Sequence, residues 1–148
     1  MTRKDRMNSS MIQVYEIESG NFTKAGEAAG NIKKLLRQLG IDAGVVRRVS
    51  IAAYEAEMNM VIHSIGGIIK ILIDPEAITF KARDTGPGIE DIELAMKEGY
   101  STATDFAREL GFGAGMGLPN IKKCSDDFII KSEVGVGTRL EARFNIST

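Results

Sequence analysis

Cysteine, histidine and surplus charge are what this 148-residue sequence has least of. A single cysteine, Cys124, excludes an internal disulfide and a cysteine-based metal cluster, and is expected to pack as a small hydrophobe on a helix. A single histidine, His63, cannot build a histidine-rich metal site. The net charge of −1 offers no electrostatic footprint for a nucleic-acid backbone, so neither DNA nor RNA is an expected partner. No run approaches the roughly 18 apolar residues of a membrane span, and the opening MTRKDRMNSS has no apolar stretch behind its basic residues. No membrane association and a cytoplasmic location are therefore expected. Neither a repeat nor a low-complexity tract is present.

What is there is the material of one globular domain, with 43% hydrophobic and 26% charged residues. A polar tail, 1–10, precedes a single domain over 11–148. Alternation predicts a strand from Met11 to Ile17. Ala25, Ala28, Ala29, Ile32, Leu35, Leu36 and Leu39 recur at the three-and-four spacing of an amphipathic helix that stops at Gly40. Asp42 is placed to cap a second helix reaching about Ser64, with Val45, Val49, Ala52, Ala53, Ala56 and Met60 as its apolar stripe. Strands follow at 67–74 and 77–84, joined through Asp74-Pro75-Glu76 as a hairpin. A short helix is expected at 92–98, a lid at about 99–114, and a helix from Leu118 to about Ser125. Strands at 128–133 and 138–146 meet at Gly135-Val136-Gly137. Strands paired as hairpins, with helices inserted between the pairs, predict an α/β (α+β) two-layer sandwich: a mixed, mostly antiparallel sheet covered by helices on one face.

Three groups of residues carry chemistry. In the strand ending at Asp84, parity puts its carboxylate on the same side as Ile78, Phe80 and Ala82. Thr138 is likewise in phase with Leu140, Ala142, Phe144 and Ile146. An inward Asp and an inward Thr can together read the polar edge of a buried base; the alternative is that Asp84 begins a turn and Thr138 starts a strand. On the second helix, Glu55, Asn59 and His63 recur every four residues, which spans about 80° of arc. The carboxylate suits a base for an attacking hydroxyl, and the amide oxygen suits Mg²⁺ beside a triphosphate. His63 either meets a backbone carbonyl at the helix end or contacts phosphate. The third group is glycine-rich: Gly86 and Gly88 on one side of the lid, and Gly113, Gly115 and Gly117 on the other, the latter ending at a helix N-terminus suited to phosphate. Neither a dinucleotide-binding G-x-G-x-x-G after a strand nor a P-loop lysine is present. Cations for phosphate must come from Arg108, Lys122 or Lys123, the last two reading first as a solvated helix face.

Glu55-x-x-x-Asn59, Asp84-x-Gly86-x-Gly88, Gly113-x-Gly115-x-Gly117 and Gly135-x-Gly137-Thr138 occur in the order of the conserved boxes of the GHKL ATPase superfamily, which includes DNA gyrase and the histidine kinases. The chain resembles in particular the small bacterial serine kinases of the anti-sigma and stressosome switch type, over about residues 12–146. The resemblance implies the Bergerat ATP-binding fold, ATP and Mg²⁺ as cofactors, homodimerisation, and serine phosphorylation of a small STAS-domain antagonist. It further implies Glu55 as catalytic base, Asn59 as Mg²⁺ ligand and Asp84 with Thr138 as adenine readers. Gly86 and Gly88 would admit the base, and Gly113, Gly115 and Gly117 would wrap the phosphates. His63, Ser101, Thr102, Arg108, Met116 and Leu118 are the remaining candidates around the nucleotide. The alternative is a binding module that sequesters a sigma factor and uses ATP only to set its conformation. The ATPase half of a histidine kinase is disfavoured, since no helix hairpin with a phosphoacceptor histidine precedes the domain.

Overall fold

The structure is a computed structural model that describes residues 10–63, 66–89, 92–97 and 117–146. In chain order the elements are β1 (Met11–Glu18), α1 (Glu27–Gln38), α2 (Ala43–His63), β2 (Gly66–Ile73), β3 (Ala77–Thr85), α3 (Ile92–Ala95), α4 (Gly117–Cys124), β4 (Asp127–Glu133) and β5 (Gly137–Asn145). The five strands form one sheet in the order β1-β2-β3-β5-β4, and every pairing is antiparallel. The expected α+β sandwich is therefore observed, with no parallel pair among the described residues. The expected polar tail and the lid over 99–114 lie almost wholly outside those residues.

Local chemistry explains the boundaries. The Asp42 carboxylate accepts from the backbone N–H of Gly44 (3.0 Å) and Val45 (3.4 Å), capping α2 as its residue type predicts. Asp74 does the equivalent work in the β2–β3 hairpin, accepting from the N–H of Glu76 (2.8 Å) and Ala77 (2.9 Å). α3 is shorter than the 92–98 expected, a single turn ending at Ala95 with no buried side chain. A turn with no buried apolar face has little to extend it.

The core lies between the sheet and the helices. Ile69, Ile71, Ile78, Phe80, Ala142 and Phe144 from the strands meet Ile32, Leu36, Val49, Ala52, Ala53 and Ile121 from the helices. α2 packs against both α1 and α4 as well as the strands. It is accordingly buried beyond its predicted stripe, taking in Val46, Glu57, Met58 and Val61. The opposite sheet face is open: Ile12 and Val14 on β1 are 55% and 52% exposed, as the alternation of β1 requires once Tyr15 and Ile17 turn inward.

Within this layer Glu57 is 2% exposed. Its Oε2 accepts from the N–H of Gly26 (3.1 Å) and Ala28 (3.3 Å), and its Oε1 from Ala29 N–H (2.9 Å). Gly26, the N-cap of α1, has no side chain with which to satisfy those donors. A carboxylate from the neighbouring helix replaces it, and the positive end of the α1 dipole favours that negative charge.

Candidate functional site

The C-terminal half of α2 and the ends of β3 and β5 lie at one end of the molecule. His63 precedes Gly66 by three positions, Gly66 pairs with Thr85, and Gly67 pairs with Asp84. β3 in turn pairs with β5 up to Arg83↔Arg139. Asp84 is half-buried, in line with its inward parity, and its Oδ1 accepts from the Thr138 N–H at 3.1 Å. Burial raises the Asp84 pKa, and that hydrogen bond opposes the rise. The Thr138 side chain, also half-buried, lies 2.8 Å from the hydroxyl of Ser132.

The loop after Asp84 is held tightly to the β4–β5 turn. Gly86 N–H donates to the Val136 carbonyl (3.3 Å), Gly135 N–H to the Pro87 carbonyl (2.9 Å), and Ile89 N–H to the Ser132 hydroxyl (2.7 Å). Gly88 has φ 76°, and a Cβ there would run into the Glu133 carbonyl oxygen. Glycine is thus required at position 88 both by backbone conformation and by space. The second glycine box is described only at its end, where Gly117 opens α4 and Leu118 packs against the core. Ser101, Thr102, Arg108, Gly113, Gly115 and Met116 lie outside the described residues.

Gly117 brings α4 onto the functional face of α2. A Cβ at Gly117 would sit 3.1 Å from Asn59 Oδ1 and 3.2 Å from Glu55 Oε2, so one bare Cα faces the carboxylate and the amide together. Three residues further along α4, Asn120 Nδ2 donates to Glu55 Oε1 at 3.4 Å. Burial raises the Glu55 pKa, and the Asn120 hydrogen bond opposes it. Among the described residues, this partly desolvated carboxylate has one long hydrogen bond. Burial lowers the His63 pKa, favouring a neutral ring, so a phosphate contact there would be made by a neutral N–H donor.

Glu55, Asn59 and Gly117 are thus brought together, as are Asp84 and Thr138, whereas Lys122 and Lys123 sit on the exposed side of α4. Two neighbours of the site, Asn120 and Ser132, are absent from the motif reading. Strand parity was the available signal for Ser132, which alternates inward with Phe128 and Ile130. A cleft of about 380 Å³ opens elsewhere, between β1 and α1, lined among others by Tyr15, Lys24, Glu27, Asn31 and Glu57. It shares no residue with either group. Its one deeply buried carboxylate is already engaged by backbone amides, and the convergent polar side chains of the α2 face make the better site.

A family model described as a histidine kinase-like ATPase domain matches residues 21–144. The chain belongs to that ATPase family. Within the family it is 31% identical over 114 residues to the serine/threonine-protein kinase RsbT of Bacillus subtilis, covering 74% of this chain and 80% of RsbT. It is 28% identical over 141 residues to the anti-sigma F factor of Clostridium beijerinckii, covering 90% and 92%. With the anti-sigma F factor of Clostridium acetobutylicum it shares 34% identity over 97 residues, spanning 64% of that relative's length. The chain is a histidine kinase-like ATPase domain of the anti-sigma and partner-switching kinase type, as its four motifs in register lead one to expect.

Proposed function

We propose that the protein is an ATP-dependent serine kinase that phosphorylates a small STAS-domain antagonist in a partner switch. The observation that carries this reading is the convergence of Glu55, Asn59 and the bare Cα of Gly117, on one side chain's width of space, at the start of α4. That arrangement supplies a carboxylate and a hard oxygen donor where a helix N-terminus would meet phosphate.

The roles divide as follows. Asp84 accepts from the exocyclic amine of adenine, with Thr138 beside it and Gly86 and Gly88 giving the ring access. Glu55 takes the proton of the attacking serine hydroxyl as its oxygen bonds to the γ-phosphorus and the bond from that phosphorus to the bridging oxygen breaks, releasing ADP. The raised pKa of Glu55 makes it a better proton acceptor than an exposed glutamate. Asn59 fits Mg²⁺ by its donor chemistry. Among the described residues no three His, Cys, Asp or Glu side chains cluster as a metal site, so Mg²⁺ would be held by Asn59 and the nucleotide phosphates, and would neutralise their charge. Gly113, Gly115 and Met116 complete the phosphate wrap in this reading, with Ser101, Thr102 and Arg108 in the lid. The protein is cytoplasmic and acts as a homodimer; the exposed apolar residues of β1 at the sheet edge support a self-association surface there.

Incubation of the chain with labelled ATP, Mg²⁺ and an antagonist encoded beside it tests the kinase. Label on an antagonist serine is the expected result, and its absence despite tight ATP binding would refute transfer. The relatives named as anti-sigma factors favour a second reading, a module that sequesters a sigma factor with ATP setting only its conformation. Recovery of a stable sigma complex together with no transfer would decide for it.

A further inference from the structure

Ser132 sits where the base-reading pair is held in place, and its hydrogen bonds can be counted. Its hydroxyl has one proton and two lone pairs. Three groups surround it: Ile89 N–H at 2.7 Å, the Gly137 carbonyl at 3.2 Å and the Thr138 hydroxyl at 2.8 Å. The amide can only donate and the carbonyl can only accept. One arrangement satisfies all three partners. Ser132 gives its proton to Gly137, takes the amide proton of Ile89 on one lone pair, and takes the Thr138 hydroxyl proton on the other. The reverse orientation, with Ser132 donating to Thr138, leaves the Gly137 carbonyl without that donor.

The consequence falls on the ligand side of Thr138. With its only proton held by Ser132, Thr138 Oγ1 has lone pairs alone to offer a bound base. Asp84 as a carboxylate also presents acceptors only, and one of its oxygens takes the Thr138 N–H. We propose that Ser132 is a specificity-determining residue, which fixes the direction of the Thr138 hydroxyl so that the pocket presents only acceptors. At position 6 such a site takes an amino group and opposes a carbonyl, whose lone pairs would face those of Asp84 and Thr138; the N1–H that accompanies the carbonyl is a donor either acceptor could take, so the discrimination rests on position 6. Ser132 touches no base itself. It acts through Thr138, and it also ties the loop after Gly88 to β4 through Ile89.

This inference rests on the adenine-binding reading of Asp84 and Thr138, and the experiment separates the two. Dissociation constants of ADP and inosine diphosphate are measured by calorimetry for the whole wild-type chain, Ser132→Ala and Ser132→Thr. Inosine differs from adenine at position 6 and the adjoining ring nitrogen, without the extra amino group of guanine. The wild-type chain is expected to prefer ADP. Ser132→Ala frees the Thr138 proton to donate to the 6-carbonyl, and the preference is expected to fall about tenfold, the scale of one hydrogen bond. Ser132→Thr keeps a hydroxyl and is expected to restore most of it. Equal weakening of both nucleotides in Ser132→Ala, with the ratio unchanged, would mean that Ser132 only braces the loop, and would overturn the inference alone. A wild-type chain indifferent between ADP and inosine diphosphate would overturn both the inference and the base-reading role of Asp84.

Discussion

Two glutamates stand two positions apart on α2 and do opposite things. Glu57 is buried, and both its oxygens are consumed by the backbone donors of Gly26, Ala28 and Ala29. Glu55 is half-buried, with one long bond from Asn120 and an oxygen facing the gap beside Gly117. Two residues on an α-helix are about 200° apart, so the same helix offers one carboxylate to α1 and the other to the site. A carboxylate buried under three backbone amides has little left to give a substrate. The chemical opportunity lies in the one left under-coordinated.

The contrast is broken most severely at Glu55. Glu55→Gln is expected to retain ATP and the fold while losing phosphate transfer by at least about 100-fold in a labelled-ATP time course; retained turnover would remove Glu55 as base. Glu57→Ala should do the reverse. It strips three amides of their acceptor and leaves a void, for a loss of about 3 kcal/mol and a fall in Tm of roughly 10 °C by calorimetry. A stable Glu57→Ala chain would show the α1 cap to be dispensable.

Smaller changes sharpen the difference. Gly117→Ala would place a methyl against Asn59 and Glu55, and is expected to weaken Mg²⁺-nucleotide binding about fivefold by calorimetry, since those side chains must give by a few tenths of an ångström. Asn120→Leu, similar in size but without the donor, should lower kcat roughly fivefold with KM for ATP unchanged. A parallel rise in KM would instead make Asn120 a nucleotide-binding residue.

The smallest effects are in pH dependence. Burial holds the Glu55 and Asp84 pKa values above their unfolded values, so their ionised forms cost stability at neutral pH and that cost disappears as pH falls through the folded and then the unfolded pKa. His63 has the opposite sign: its folded pKa lies below the ordinary 6.5, so stability is lost as pH falls through 6.5 and the unfolded chain takes up the proton more readily. Denaturant melts of His63→Asn against wild type should converge at pH 8 and diverge below pH 6.5, with the variant losing less.

Much of this was legible beforehand because it is local. The four-residue spacing of Glu55, Asn59 and His63 and the parity of Asp84 and Thr138 depend only on helix and strand periods. Glu57 was not legible, because its three partners lie 28 to 31 residues earlier in the chain and none has a side chain that announces the need. The clue was its setting, between Ala56 and Met58 on a helix with buried neighbours around it. Asn120 reaches Glu55 across 65 residues, a contact that exists only once α4 has packed on α2. Ser132 is near Thr138 in sequence, yet its partner Ile89 is 43 residues away.

The position of β5 bears on how the domain assembles. It is the last strand in chain order but lies inside the sheet, between β3 and β4. A growing chain can close the β2–β3 hairpin early, since its turn is only three residues long, but the other edge of β3 must wait for a strand that begins more than fifty residues later. The β3–β5 pairing is thus the long-range seam of the sheet, and the bond between Asp84 and Thr138 is a latch across it. A nucleotide held at the latch would favour the assembled state by mass action, making ligand occupancy a report on whether the sheet has finished closing.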